Sequence, residues 1–177
     1  DQLLQDNLKA VYFLKSMRFF NVGYGGTNAT DALFMTNNGS SMGYTDRYIE
    51  QTFHHEFSSI LFRNYNPILD TIAWKKANDP TFDYNDPESG VGAIRTGRSS
   101  QLPDTVLSKY GFLTEYSTSS LENDINTLAQ NLFLPDTGFW GIFDKYPKIK
   151  TKTRLLILFY NKLDGRYTER YFRSFDH

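Results

Sequence analysis

The chain of 177 residues has a formal net charge of −1 and is 40 % hydrophobic, which fits one domain over residues 1–177 with a sizeable core. This charge gives no electrostatic case for nucleic-acid binding, and the absence of cysteine excludes disulfides, thiolate metal sites and a cysteine nucleophile. The longest apolar run, Leu155–Tyr160, has six residues and is too short to span a membrane.

The first part of the chain is predicted to hold one short helix and two strands. Residues 2–8 favour a helix, and an imperfect alternation of apolar and polar residues predicts a strand somewhere in Phe13–Val22. The glycine-rich residues 23–28 indicate a turn-rich loop, because their spacing is not that of a phosphate-binding loop. Ala32–Thr36 is predicted as the second strand.

The strongest helix is predicted over Thr45–Asn64, because apolar residues recur there at helical spacing. This apolar stripe consists of Ile49, Phe53, Phe57, Ile60 and Leu61. His55 and Ser59 lie on its flank, where side chains that face a site are expected. A further helix is predicted after Pro67 and through Trp74, because proline is favoured at the first helical position.

The second half of the chain is predicted to be mostly helical. Residues 78–102, which include Asn85-Asp86-Pro87, form a long loop-like stretch of a kind that is usually functional or mobile. A helix is predicted from Ser119, with Glu122 completing a capping box. The apolar face of that helix is predicted to comprise Leu121, Ile125, Leu128, Ala129 and Leu132. The last helix is predicted over Lys148–Leu163, and the basic cluster Lys145–Arg154 is interpreted as its solvated start.

The segment His54-His55-Glu56 lies in the strongest predicted helix and has the form of a zinc helix with one ligand missing. In an H-E-x-x-H helix the two histidines bind zinc from one face, and the glutamate takes a proton from the metal-bound water. His55 and Glu56 occupy the first two positions, but Ser59 stands where the second histidine belongs. The remaining histidine, His177, is terminal and cannot complete this pair.

Three carboxylates further along the chain are candidates for a third ligand: Glu115, Glu122 and Asp124. Two of them also have structural explanations, since Glu122 can cap a helix and Asp124 can favour its positive end. His54 is a further candidate ligand, although a surface role is the alternative. No G-x-S-x-G elbow is present, which argues against a serine hydrolase.

These motifs resemble those of the zinc-binding metallopeptidase lipoproteins of Gram-negative envelopes, also described as substrate-import-associated zinc metallohydrolases. The family pattern combines a zinc helix of the type H-E-F-x-H-I-L with a downstream segment of the type G-F-[IV]-x-x-Y-A-x-[ST]-S-x-x-E-D-F-A-E and a C-terminal helix. The corresponding segments here are residues 55–61, 111–127 and 148–163. The resemblance extends from about Phe34 to Phe172.

The chain departs from the family pattern where the chemistry belongs. Ser59 replaces the second zinc histidine, and Asn123 replaces the first acidic residue of the downstream segment, whereas Asp124 is kept. Thr127 stands at the position of the final glutamate, which the resemblance implies is the third ligand. The apolar scaffold residues are retained, so the pattern is typical of a fold that has lost its metal site.

The resemblance implies an α+β, zincin-like fold, with a small twisted sheet packed on the helix that carries His55 and a mostly helical C-terminal half. A cleft is expected between that helix and an edge strand at Ala32–Thr36, where an extended peptide could add. The implied location is the cell envelope, as a periplasmic or surface lipoprotein, and the implied partner is the outer-membrane uptake system beside which the family is typically encoded.

Three interpretations of function remain open at this stage. The first is a non-catalytic accessory domain that binds a peptide or glycan and needs no cofactor. The second is an active metallohydrolase in which non-standard ligands complete a zinc site and Glu56 is the general base. The third is an unrelated α+β domain in which the histidine–glutamate pair is accidental.

Overall fold

The computed structural model describes residues 2–19, 21–84 and 90–176. Helices and strands are numbered separately in chain order. The strands are β1 (Ala10–Leu14), β2 (Arg18–Phe19), β3 (Val22–Gly23), β4 (Gly26–Asn28) and β5 (Ala32–Thr36). The helices are α1 (Gln2–Asn7), α2 (Asp46–Tyr65), α3 (Thr71–Lys76), α4 (Val91–Arg95), α5 (Thr105–Tyr110), α6 (Leu121–Phe133), α7 (Phe139–Lys145), α8 (Pro147–Leu163) and α9 (Glu169–Arg173).

In the part of the chain that the structure describes, the main sheet has three strands in the order β1-β5-β4. β1 runs parallel to β5, whereas β4 runs antiparallel to it. The predicted strand at Ala32–Thr36 is confirmed, but its predicted place at an edge is wrong, because β5 lies in the centre. The predicted loop over residues 23–28 is also wrong in part. Residues 26–28 form β4, since the short turn after Asn28 lets them pair with residues 33–35.

Helix α2 packs against this sheet and begins at the predicted position. The hydroxyl of Thr45 accepts a hydrogen bond from the backbone N–H of Tyr48 and so caps the helix. Phe57, Ile60 and Leu61 bury the apolar stripe of α2 in the core. The α+β class and the mostly helical second half of the chain are therefore confirmed.

Helix α6 lies in the middle of the structure and is buried along almost its whole length. Every residue from Asn123 to Leu132 is buried, polar side chains included. The predicted capping box is wrong by one residue, because the hydroxyl of Ser120, and not that of Ser119, accepts from the backbone N–H of Asn123. Glu122 therefore falls one position too early to complete a capping box.

Several short elements differ from the predictions. Pro67 lies in a 3₁₀ turn, and α3 starts only after Asp70, whose carboxylate caps it. α4 interrupts the predicted loop over residues 78–102. The Asn85-Asp86-Pro87 segment of that loop lies outside the described residues. α5, α7 and α9 have five to seven residues each, too few for a clear apolar period.

Lys152 on α8 contradicts the interpretation of Lys145–Arg154 as a solvated start of a helix. Its side chain is 0 % exposed, and Nζ lies 2.7 Å from Oδ2 of Asp124 and donates to the carbonyl of Gly111 over 2.7 Å. The sequence could not reveal this, because the partners come from distant segments. Among the described residues, no helix combines the length and apolarity needed to cross a membrane.

Candidate functional site

A pocket of about 490 Å³ opens between β4, α2 and α6. His55 and Ser59, which were predicted on the flank of the apolar stripe, line this pocket together with Glu56. Gly26 lets β4 approach α2 closely, because a Cβ atom there would lie 2.5 Å from Cγ2 of Thr52 and 2.9 Å from Oε1 of Glu56. The strand beside the cleft is therefore β4. The expectation that the cleft lies against the strand Ala32–Thr36 is wrong.

His55 and Ser59, one turn apart on α2, each bond to an amide side chain of α6. Nδ1 of His55 lies 2.8 Å from Oε1 of Gln130, and Nδ2 of Asn126 donates to Oγ of Ser59 over 2.7 Å. This contact between His55 and Gln130 is a hydrogen bond that joins α2 to α6. The two positions at which the motif would place zinc ligands thus form hydrogen bonds with amide side chains of α6.

Glu56 is the half-buried carboxylate of this pocket. Its Oε2 accepts a hydrogen bond from Nδ2 of Asn28 over 2.6 Å, which ties α2 to β4. Burial raises the pKa of Glu56, and the negative charge of Glu122 acts in the same direction. His55, Asn28 and Arg63 act in the opposite direction. Glu56 is thus poised to exchange a proton closer to neutral pH than an exposed glutamate.

Glu122 also lines the pocket, at the first turn of α6. Its Oε1 lies 3.4 Å from Nη1 of Arg63, which also donates to the carbonyl of Ala29 through Nη2. Glu122 therefore belongs to the site, and Arg63 compensates its negative charge.

His54 does not belong to this pocket. Its ring stacks on Phe133 with the centroids 4.5 Å apart and the planes 4° apart, on a different face of α2. Burial lowers the pKa of His54 to about 4, so the ring is neutral at pH 7. The structure thus assigns His54 a packing role.

The other predicted site residues lie away from the pocket. Asp124 is 1 % exposed, and its Oδ2 accepts from Nζ of Lys152, from Nε1 of Trp74 and from the hydroxyl of Tyr84. Thr127 is fully buried, so the position that the resemblance gave to the third ligand does not line the pocket. Glu115 is half-buried beside the 3₁₀ turn at residues 116–118 and does not line it either.

The residues present do not fit a tightly bound zinc ion. A catalytic zinc site uses three protein ligands drawn from histidine, cysteine and carboxylate side chains. Within residues 2–19, 21–84 and 90–176, no group of three or more such side chains is placed to hold a metal ion. His177 lies outside these ranges.

The amide side chains of α6 are the part of the site that the sequence analysis missed. Asn123, Asn126 and Gln130 follow one another at steps of three and four, so they lie on one face of the helix, and all three line the pocket. The helical spacing of these amides is visible in the sequence, but the element that this face of α6 contacts is not.

Comparison of the chain with known proteins found no matching family model, no matching curated protein and no matching solved structure. The resemblance to zinc metallopeptidase lipoproteins therefore depends on the motifs alone and stays a prediction.

Proposed function

We propose that this chain is a zincin-like domain that has lost zinc catalysis and binds a neutral, hydrogen-bonding ligand in the pocket between β4, α2 and α6. The observation that carries this proposal is the pairing of His55 with Gln130 and of Ser59 with Asn126. A metal site needs ionisable or soft ligands at such positions. Amide and hydroxyl groups instead offer donors and acceptors in fixed directions, which suits recognition of an uncharged polar molecule.

The composition of the pocket wall supports a neutral ligand. No lysine or arginine is among the described residues that line the pocket, so an anionic ligand would find no opposite charge there. Glu56 and Glu122 are the ionisable carboxyl groups of the wall, and both already have a partner in Asn28 or Arg63. Ligands of two classes, a peptide or a glycan, have the required polar groups.

The cellular role follows from the resemblance and is part of the same proposal. Proteins of the family that the chain resembles are envelope lipoproteins, and they are typically encoded beside outer-membrane nutrient-uptake systems. We therefore propose that this chain is an accessory binding protein of such a system, as a periplasmic or surface lipoprotein.

Metal analysis tests the loss of zinc catalysis directly. The protein is purified without a chelator and without a nickel column, incubated with zinc, desalted and assayed for metals by mass spectrometry. We expect zinc far below one ion per chain, with no change in His55→Ala. About one zinc per chain, lost in His55→Ala, would overturn the proposal.

A second candidate function is a hydrolase in which Glu56 acts as the general base. It is favoured by the position of Glu56 in the pocket and by the raised pKa that burial gives it. A peptidase and esterase screen of the wild type beside Glu56→Gln distinguishes the two functions. Turnover that depends on Glu56 would favour the hydrolase, and its absence would favour the binding domain.

A further inference from the structure

We infer that the ligand of this pocket is a neutral oligosaccharide. This inference rests on the proposed binding function and adds the chemical class of the ligand. A sugar hydroxyl both donates and accepts a hydrogen bond, so its complement is a side chain that can do the same. Among the described residues, six amide side chains line the pocket, and they come from β4, α2, α6 and the segment before α5. They are Asn28, Gln51, Gln101, Asn123, Asn126 and Gln130.

The amide oxygen of Asn126 is an independent pointer to a ligand donor. Asn126 is only 2 % exposed and lines the pocket, and its Nδ2 is used by Ser59. Its Oδ1 is buried and has no hydrogen-bond partner among the described residues. A buried acceptor without a donor is unfavourable, so a ligand hydroxyl that reaches Oδ1 would satisfy it.

The charges of the pocket select among saccharides. No lysine or arginine is among the described residues that line the pocket, so a sulfated, phosphorylated or uronic sugar would find no counter-charge in the wall. Carboxylate oxygens accept hydrogen bonds from adjacent hydroxyls, which neutral sugars supply. The pocket is thus complementary to an uncharged polyol and not to an acidic glycan.

An aromatic ring at the rim provides the apolar surface that sugars also need. Tyr48 lines the pocket, and 38 % of it is exposed. Its ring is held edge-on by Tyr44, with the centroids 5.5 Å apart and the planes at 83°. Such a ring offers an apolar face to the C–H face of a pyranose.

A peptide fits this site less well, because β4 offers little free main chain. The carbonyl of Gly25 accepts from Thr36 and the N–H of Ala29 donates to Ala32, so alternate residues of this segment bond inward to β5. Only Gly26 and Asn28 then direct main-chain groups outward from the sheet. An added peptide strand would therefore gain few backbone hydrogen bonds.

The inference is tested by calorimetric titration of the metal-free protein with maltotriose, cellotriose, mannotriose and diacetylchitobiose, beside alanine tetrapeptide with blocked ends. We expect at least one saccharide to bind with a dissociation constant on the order of 1 mM or tighter. Tyr48→Ala and Gln101→Ala should each weaken binding about tenfold or more. The controls Tyr110→Ala and Gln5→Ala, which change exposed residues outside the pocket, should leave it unchanged.

Each other outcome overturns the inference in a recognisable way. Binding of the tetrapeptide alone, sensitive to Tyr48→Ala, would keep the binding function and replace the glycan by a peptide. Saccharide binding that is equal in all variants would place the ligand elsewhere. If none of the saccharides showed saturable binding up to about 20 mM, a glycan ligand would be rejected. Stoichiometric zinc, measured separately, would reject the binding function itself.

Discussion

Lys152→Met should destabilise the protein strongly, because it leaves a carboxylate buried without its counter-charge. Lys152 is fully buried, and its ammonium contacts Asp124 and the carbonyl of Gly111 at 2.7 Å each. It also lies 4.0 Å above the ring of Phe112. Burial lowers the pKa of Lys152, and the neighbouring charge of Asp124 opposes that effect. The ion pair therefore compensates for a high desolvation cost.

The magnitude follows from the groups that lose their partner. Removal of one member of a buried ion pair costs about 3–5 kcal/mol. Trp74 and Tyr84 still donate to Oδ2 of Asp124 in Lys152→Met, which reduces the cost toward the lower end of that range. Adding Asp124→Asn removes the buried charge and keeps an acceptor for both donors. We therefore expect the double variant to be about 1–2 kcal/mol more stable than Lys152→Met alone.

Urea unfolding followed by circular dichroism measures both values, with ΔG extrapolated at a common slope. Lys162→Met, an exposed lysine of the same helix, is the matched control and should change stability by less than about 0.5 kcal/mol. A loss below about 1 kcal/mol in Lys152→Met would refute the reasoning, as would a double variant less stable than the single one.

Three further predictions concern His54, Gly26 and the lost metal site. The pKa of His54 falls to about 4 in the folded state, so its stabilising effect is complete above pH 6.5 and is lost as the pH falls toward 4. When the pH falls from 7.5 to 5, the free energy of unfolding in urea should decrease by about 1–2 kcal/mol more in the wild type than in His54→Phe. Equal decreases in the two proteins would contradict this prediction. Gly26→Ala should separate β4 from Glu56 and lower the free energy of unfolding by about 1–3 kcal/mol. The control Gly23→Ala, where a Cβ meets open space, should lower it less. Equal effects of the two variants in thermal unfolding would contradict the close approach of β4 to α2. Ser59→His alone should not bind zinc tightly, but Ser59→His combined with Asn126→Glu should, because Asn126 contacts position 59 from α6. Zinc titration against a chromogenic chelator measures both affinities. Equal zinc affinities of the single and the double variant would refute this prediction.

The sequence by itself predicted the parts of this fold that depend on local periodicity. The apolar stripe from Ile49 to Leu61 predicted α2 almost to the residue, and the short β-rich run at Ala32–Thr36 predicted β5. The helical spacing on α2 also predicted that His55 and Ser59 lie on one flank of the helix, and both line the pocket. Periodicity within one element is enough for such predictions, because the geometry of a helix or strand is fixed.

Only the tertiary structure decided which residues meet across elements. Asp124 and Glu122 are two positions apart on α6, yet one is buried against Lys152 and the other lines the pocket. The amides Asn126 and Gln130 became site residues because α6 packs beside α2 in this register. β5 became the central strand because β1 and β4 pair on its two sides. Such contacts depend on long-range packing, and a single sequence does not encode them in any local pattern.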